Sequence, residues 1–267
     1  IYALNPQPWL GSLPPPLSER NAFVKTEFTT IKNASGIYVK TAIKDFAYDK
    51  NGNVLQVTEY DWVDYSTVPK DAAGLPTGIP GGATVKRVTL NTYNNPTPDS
   101  STPGNHANAY WNVAPAGGYT TLTLNAIASK EIRATAGGAV QARTEFSYDN
   151  PATTANVTVT RSWDSTKGAV TTPLTVGNSI ATTNQYSTYS NGATGKLTKT
   201  FDANNVATAF TYGDIGNGVT DLYVTKTIAA ETTSVARTSE NKYDFHTGVV
   251  TEAKDTDNNI VTKTTLD

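Results

Sequence analysis

From Val24 onward, short runs alternate β-branched or aromatic residues with polar ones. KTEFTTI (Lys25 to Ile31), GIYVKTAI (Gly36 to Ile43), ATVKRVTLNTY (Ala83 to Tyr93), YTTLTLNAI (Tyr119 to Ile127), VQARTEFSY (Val140 to Tyr148), NVTVTRSW (Asn156 to Trp163) and DLYVTKTI (Asp221 to Ile228) all follow this rule. A period of two predicts strands with one face buried. Turn formers separate the runs, at Asn51-Gly52, Asn94-Asn95-Pro96, Gly117-Gly118, Gly137-Gly138, Asn191-Gly192 and Asn217-Gly218. No apolar stripe at helical spacing exceeds two turns. The predicted fold is therefore all-β, with irregular antiparallel strand–turn–strand repeats forming a curved or spiralling sheet. The abundant threonine suits exposed faces of such a sheet.

Three segments emerge: a Pro-rich extended stretch over 1–23, a divergent β-repeat region with long loop insertions over 24–150, and a more regular β-repeat region over 151–267. Five prolines between Asn5 and Arg20 fix φ and remove backbone donors, so that stretch is expected to be extended. Val68 to Gly82 and Asn94 to Gly118, rich in Pro, Gly, Ser and Asn, read as long loops. The second holds Tyr110 and Trp111, read as rings covering a strand or, alternatively, as a contact platform.

Self-similarity organises the chain. GKLTKTFDANN (Gly195 to Asn205) aligns without a gap on GVVTEAKDTDNN (Gly248 to Asn259), placing Gly195, Leu197, Thr198 and Asp202 on Gly248, Val250, Thr251 and Asp255. A degenerate copy places Val159, Thr160 and Asp164 on the last three positions. Aromatic–Asp pairs mark the repeats: Tyr48-Asp49, Tyr60-Asp61, Tyr148-Asp149, Trp163-Asp164, Phe201-Asp202 and Tyr243-Asp244. The aromatic is expected to end a strand and pack on the sheet. The Asp carboxylate then accepts turn N–H groups, and a following Asn or Gly supplies positive φ. A single hairpin is marginal alone, so such units must share a continuous sheet.

This combination resembles the YD-repeat, or RHS-repeat, family, most closely over Tyr48 to Trp62, Gly195 to Tyr212 and Tyr243 to Thr264. The family includes bacterial RHS toxins, the BC component of insecticidal Tc toxins and the teneurins. The resemblance implies a non-catalytic β-strip that spirals into a hollow shell, which in the toxins encloses a toxic domain.

Composition narrows the chemistry. A formal charge of -2 without a Lys/Arg run argues against nucleic-acid partners. The absence of cysteine removes disulfides and thiolate chemistry. No apolar run approaches the roughly 20 residues that span a bilayer. With no methionine, and Ile first, the sequence is expected to be a processed product or an internal piece. His106 and His246 lie in different units without ligand-spaced partners and are read as solvated. Asp49-x-Asn51-x-Asn53 and Asp255-x-Asp257-x-Asn259 share the oxygen spacing of Ca²⁺ loops but lack the sixth-position Gly and the later bidentate Glu. Asx-rich turns account for them. Two N-x-S/T sequons, at Asn33 and Asn156, add nothing in a bacterial chain. No catalytic, cofactor-binding or metal site is predicted, and no enzyme activity.

Three functions fit. The first is a structural segment of a secreted bacterial RHS-like protein, with further repeats, identical subunits or an enclosed toxin domain as partners. The second is an extracellular or cell-surface fibre, whose strand edges make the subunit contacts. The third is carbohydrate binding through Trp9, Trp62, Trp111 or Trp163, although Trp62 and Trp163 sit at repeat aromatic positions that packing explains better.

Overall fold

The computed structural model describes residues 2–5, 21–49, 52–94, 125–150, 154–188, 194–214 and 222–265. The prolines at 6–20, the loop over 95–118 with His106, Tyr110 and Trp111, and the turns at Asn191-Gly192 and Asn217-Gly218 lie outside the described residues.

The chain is all-β. The described residues form strands β1 (Tyr2–Asn5), β2 (Asn21–Val24), β3 (Thr26–Lys32), β4 (Tyr38–Tyr48), β5 (Val54–Tyr60), β6 (Val63–Asp64), β7 (Val85–Tyr93), β8 (Ile127–Arg133) and β9 (Val140–Tyr148). They continue with β10 (Val157–Trp163), β11 (Ser179–Thr188), β12 (Thr194–Phe201), β13 (Ala207–Thr211), β14 (Lys226–Glu231), β15 (Arg237–Tyr243), β16 (Val250–Asp255) and β17 (Ile260–Lys263). β1 pairs with β2. The other fifteen form one sheet in chain order from β3 to β17, β6 adding to β4 beside β5, and every resolved ladder is antiparallel. The strand order has two ends and does not close into a barrel. Two units divide the chain, Ile1–Glu145 with Pro151–Ala155, and Phe146–Asn150 with Asn156–Asp267. No helix among the described residues is long and apolar enough to cross a membrane.

The expected strand over Asp221 to Ile228 begins only at Lys226. Tyr223 and Val224 are taken up instead by contacts at the next turn, described below.

Regular slips shape the ladders. The register shifts by one residue where Tyr48 meets Val54, Tyr60 meets Val85, Tyr93 meets Ile127, Tyr186 meets Leu197 and Tyr243 meets Val250. Each time the extra residue lies on the second strand, directly after the aliphatic partner. Such bulges sharpen the local twist and re-aim the neighbouring side chains.

Burial departs from the expectation for threonine. In the first unit Ile43 and Val88 are each 1% exposed, but Thr41 is 0% exposed and Thr26 and Thr58 are also buried. Thr26 Oγ1 donates to Asp45 Oδ1 (2.9 Å), Gln56 Nε2 to Thr58 Oγ1 (2.9 Å), and the hydroxyls of Thr92 and Ser129 meet at 2.7 Å. Threonine fills nearly the space of valine, and its hydroxyl finds a side-chain partner, across the ladder for Thr26 and along the same strand for Thr58, so it enters the interior without an unmet polar group. Beside it, the carboxylate of buried Glu131 receives Arg143 Nη1 at 2.6 Å and also contacts Arg133. Arg143 in turn reaches Glu145 at 2.8 Å.

Candidate functional site

The aromatic–Asx positions form a recurrent latch at the hairpin ends. Asp49 follows the last residue of β4. Its N–H donates to Asn53 O (2.9 Å), while Asn53 returns its N–H to Asp49 Oδ1 and its Nδ2–H to Asp49 Oδ2, both at 2.8 Å. Asp149 repeats this set with Asn156 although three more residues intervene: N–H to Asn156 O at 3.1 Å, and Asn156 N–H and Nδ2–H to the two carboxylate oxygens at 3.0 Å each. A carboxylate accepting N–H groups of its own turn is a local Asx motif.

The latch continues sideways. The carbonyl of Val54, next in chain after Asn53, accepts from Asn91 Nδ2 (2.8 Å) and the Tyr93 hydroxyl (3.0 Å). The carbonyl of Val157, next after Asn156, accepts from Asn184 Nδ2 (2.8 Å) and the Tyr186 hydroxyl (2.9 Å). Burial raises the Tyr93 phenol above the ordinary tyrosine value, and the negative charge of Asp49 adds to it. Burial likewise raises Tyr186, against the opposing hydrogen bond of Asn184 and with the help of Asp149. Both phenols are therefore neutral donors at any physiological pH.

A second variant occurs at Tyr48 and Tyr243. Their hydroxyls donate to Val24 O and Val224 O, each at 2.8 Å. The preceding aromatics stack on them: Phe23 on Tyr48 with centroids 5.1 Å apart, and Tyr223 on Tyr243 at 4.8 Å. The same two rings cover the turn glycines, Gly52 (φ +82°) and Gly248 (φ +71°). A Cβ on Gly52 would lie 2.7 Å from Phe23 Cε1, and one on Gly248 would lie 2.9 Å from Tyr223 Cζ. This is why Tyr223 leaves the strand pattern.

The remaining repeat positions are more varied. Tyr148 ends β9 half-buried, and Phe201 ends β12 opposite Ala207. Trp163 donates its indole N–H to Gly168 O (2.9 Å). Leu197 faces Tyr186, as Val250 faces Tyr243, and its carbonyl accepts the Tyr212 hydroxyl at 3.1 Å. Gly195 and Gly248 are not conformational equivalents, since Gly195 lies within β12 whereas Gly248 turns the chain.

Two Asx turns escape the aromatic–Asp pattern. Asn33 and Asp71 each donate N–H to the carbonyl four residues on (Ile37 and Leu75, at 2.8 and 3.0 Å). Each also accepts the N–H groups of positions two and four residues on through Oδ1. Asp202 does the same with Asn204 and Val206. The fourth residue has positive φ in every case: Gly36, Gly74 and Asn205. The common signal is Asx-x-x-(Gly/Asn), shared with Asp49 and Gly52, and an aromatic before the Asx is not required.

Asp164, Asp244 and Asp255 head longer turns. The Thr166 hydroxyl holds the Asp164 carboxyl below the ordinary range. The Thr247 backbone N–H and hydroxyl do so for Asp244, and the Asn258 carboxamide does so for Asp255. The Ca²⁺-like spacing does not converge: Asp255 accepts from Asp257 N and Asn258, while Asp257 Oδ2 accepts from Thr238 N (2.6 Å). Among the described residues no group of three or more His, Cys, Asp or Glu is placed to hold a metal.

Among the described residues two depressions bear on function. One, of about 460 Å³, lies on β14–β17, and its lining mixes small residues such as Thr227, Ser239 and Ala253 with the charged Arg237, Lys254 and Asp255. The other, of about 320 Å³, lies in the loop between β5 and β7 and includes Trp62. Trp62 is 50% exposed, so packing on the sheet does not account for it.

No protein-family model and no curated protein matches the chain. Among solved structures it is similar to a chain of "Crystal Structure of TcdB2-TccC3-Cdc42", at 15% identity with a TM-score of 0.21. The match covers 88% of this chain and spans about a tenth (10%) of that one.

Proposed function

We propose that the chain is a non-catalytic structural segment of a secreted bacterial protein of the YD/RHS-repeat kind, a stretch of β-wall that encloses or presents a cargo domain. The observation carrying this reading is the recurrence of one latch, with the same donors and acceptors, at Asp49–Asn53–Tyr93 and Asp149–Asn156–Tyr186. Its carboxylates take up the N–H groups of their own turns, and its phenols are uncharged donors. Such residues hold strands together and leave little with which to attack a substrate. Further repeats or identical subunits extend the wall, and a toxin domain is the cargo.

A fibre of identical subunits is the second reading. β17, an end strand of the sheet, favours it: Ile260 and Val261 are 60% and 44% exposed there. An exposed strand edge is a template for another chain. Negative-stain electron microscopy of the gene product that contains this chain separates the readings. Closed hollow particles support the wall, and fibres that lengthen with concentration support the second reading. A compact particle without a cavity and without polymers contradicts both.

A further inference from the structure

We infer that the loop between β5 and β7 carries a binding site for a neutral saccharide, with Trp62 as its platform; this goes beyond the wall reading and does not depend on it. The loop is built rather than slack. Asp61 N–H donates to Thr84 O (2.9 Å) and closes its base. Val68 is buried beneath it. Lys70 Nζ ties Tyr65 O (2.6 Å) and Val68 O (2.8 Å) while lying 4.2 Å over the Tyr65 ring, and the Tyr65 hydroxyl donates to Gly74 O at 3.0 Å. Loops closed and packed by their own side chains in this way hold a site in shape before a ligand arrives.

The cleft's about 320 Å³ is at the small end of ligand sites and accommodates one or two sugar rings. Its lining includes Asp61, Trp62, Asp64, Thr67, Gly81 and Thr84. The half-exposed indole offers a flat apolar face, which suits the axial C–H face of a pyranose. Among the described residues neither the Asp61 carboxylate nor the Trp62 indole N–H has a hydrogen-bond partner, so one acceptor and one donor are open to vicinal hydroxyls. Among the described residues the lining of the cleft holds no lysine or arginine, and Lys40 beside it is paired to Asp64 at 2.8 Å, so no unpaired cation is offered to a phosphate or carboxylate. A quaternary ammonium ligand would want several rings around it, and this cleft has one. The ligand class left is a neutral sugar with an apolar face, such as a β1,4-linked pyranose chain.

Gly81 supplies a decisive variant. A Cβ there meets nothing within 4 Å and its φ is not in the left-handed region, so Gly81→Phe fills the cleft without straining the backbone. Saturation-transfer NMR with the intact chain, using millimolar cellotriose and chitotriose and choline as the competing class, tests the site. The expected result is transfer to the ring protons of at least one trisaccharide, concentrated on one sugar face. That transfer is abolished in Trp62→Ala and Gly81→Phe, weakened about tenfold in Asp61→Asn, and partly kept in Trp62→Phe. Circular dichroism confirms that each variant keeps its sheet. Absence of transfer to both sugars, transfer unchanged in Trp62→Ala and Gly81→Phe, or preferential transfer to choline overturns the inference.

Discussion

Asp149 and Asn156 are joined by three hydrogen bonds of 3.0–3.1 Å, the same three that join Asp49 to Asn53 across a turn three residues shorter. The loop between the partners varies while the bonded pair does not, so the pair is the repeated element. Asp49 is the more buried of the two aspartates, at 5% exposure. Replacing Asp49 by Ala leaves the Asn53 N–H and carboxamide without their carboxylate and is expected to cost about 1–3 kcal/mol. Asp149→Ala should cost less. The double variant Asp49→Ala/Asn53→Ala should cost clearly less than the sum of its singles, because each removes the same bonds. Urea unfolding midpoints of the four variants measure this.

The turn glycines should separate conformational strain from crowding. Gly36 and Gly52 both have positive φ, but a Cβ at Gly36 meets nothing within 4 Å whereas one at Gly52 runs into the Phe23 ring. Gly36→Ala is expected to cost about 1 kcal/mol from φ alone. Gly52→Ala should cost roughly 1–3 kcal/mol more through overpacking, and Phe23→Leu should recover part of that excess in a thermal melt.

The doubly accepting carbonyls predict buffering between donors. Tyr93→Phe leaves Val54 O bonded to Asn91, so the loss should be small, about 0.5–1 kcal/mol. Asn91→Ala should behave similarly. Removing both leaves the carbonyl unmet, and the pair should cost more than the sum of the singles. The same relation should hold for Asn184 and Tyr186 on Val157.

Acid should act through Glu131. Burial alone would raise its carboxyl, but the hydrogen bonds and charges of Arg133 and Arg143 outweigh burial and hold it below the ordinary range. The folded value thus lies below the unfolded one, near about 4.3. The stabilisation is full above that unfolded value and is lost as pH falls through it toward the folded value. Stability should be flat above about pH 5 in this respect and decline below it. Glu131→Gln should be less stable at neutral pH and show a shallower acid decline, read from unfolding midpoints across the pH series.

Much of the sheet was legible because alternation reports a half-buried pleat directly, as Val140 to Tyr148 shows by coinciding with β9. β15 (RTSENKY) carries almost no apolar signal. It is held by backbone ladders to β14 and β16, with exposed cross-strand pairs added at Lys242–Glu252 (2.8 Å) and Lys226–Glu240 (4.0 Å), and single-strand periodicity registers neither. The Asp of each latch was readable from turn chemistry. Its Asn partner was not, because Asn53 and Asn156 lie at different distances along the chain. The turns at Asn33 and Asp71 fall outside the aromatic–Asp pattern because a lysine precedes each, although Asx-x-x-Gly is present in both. The place of Trp62 after a Tyr-Asp pair predicts packing on the sheet, whereas the folded loop leaves it half-exposed.

Amide hydrogen exchange on the native chain tests the repeated latch most directly, because each copy names its protected turn amides. The N–H groups of Asp49 and Asn53, Asp149 and Asn156, and Asp202 and Val206 should exchange as slowly as neighbouring ladder amides. In Asp202→Ala, Asn204 and Val206 should become fast while the Asp49 turn is unchanged. Fast exchange of these amides in the native protein, or protection confined to one of the two units, would contradict the account.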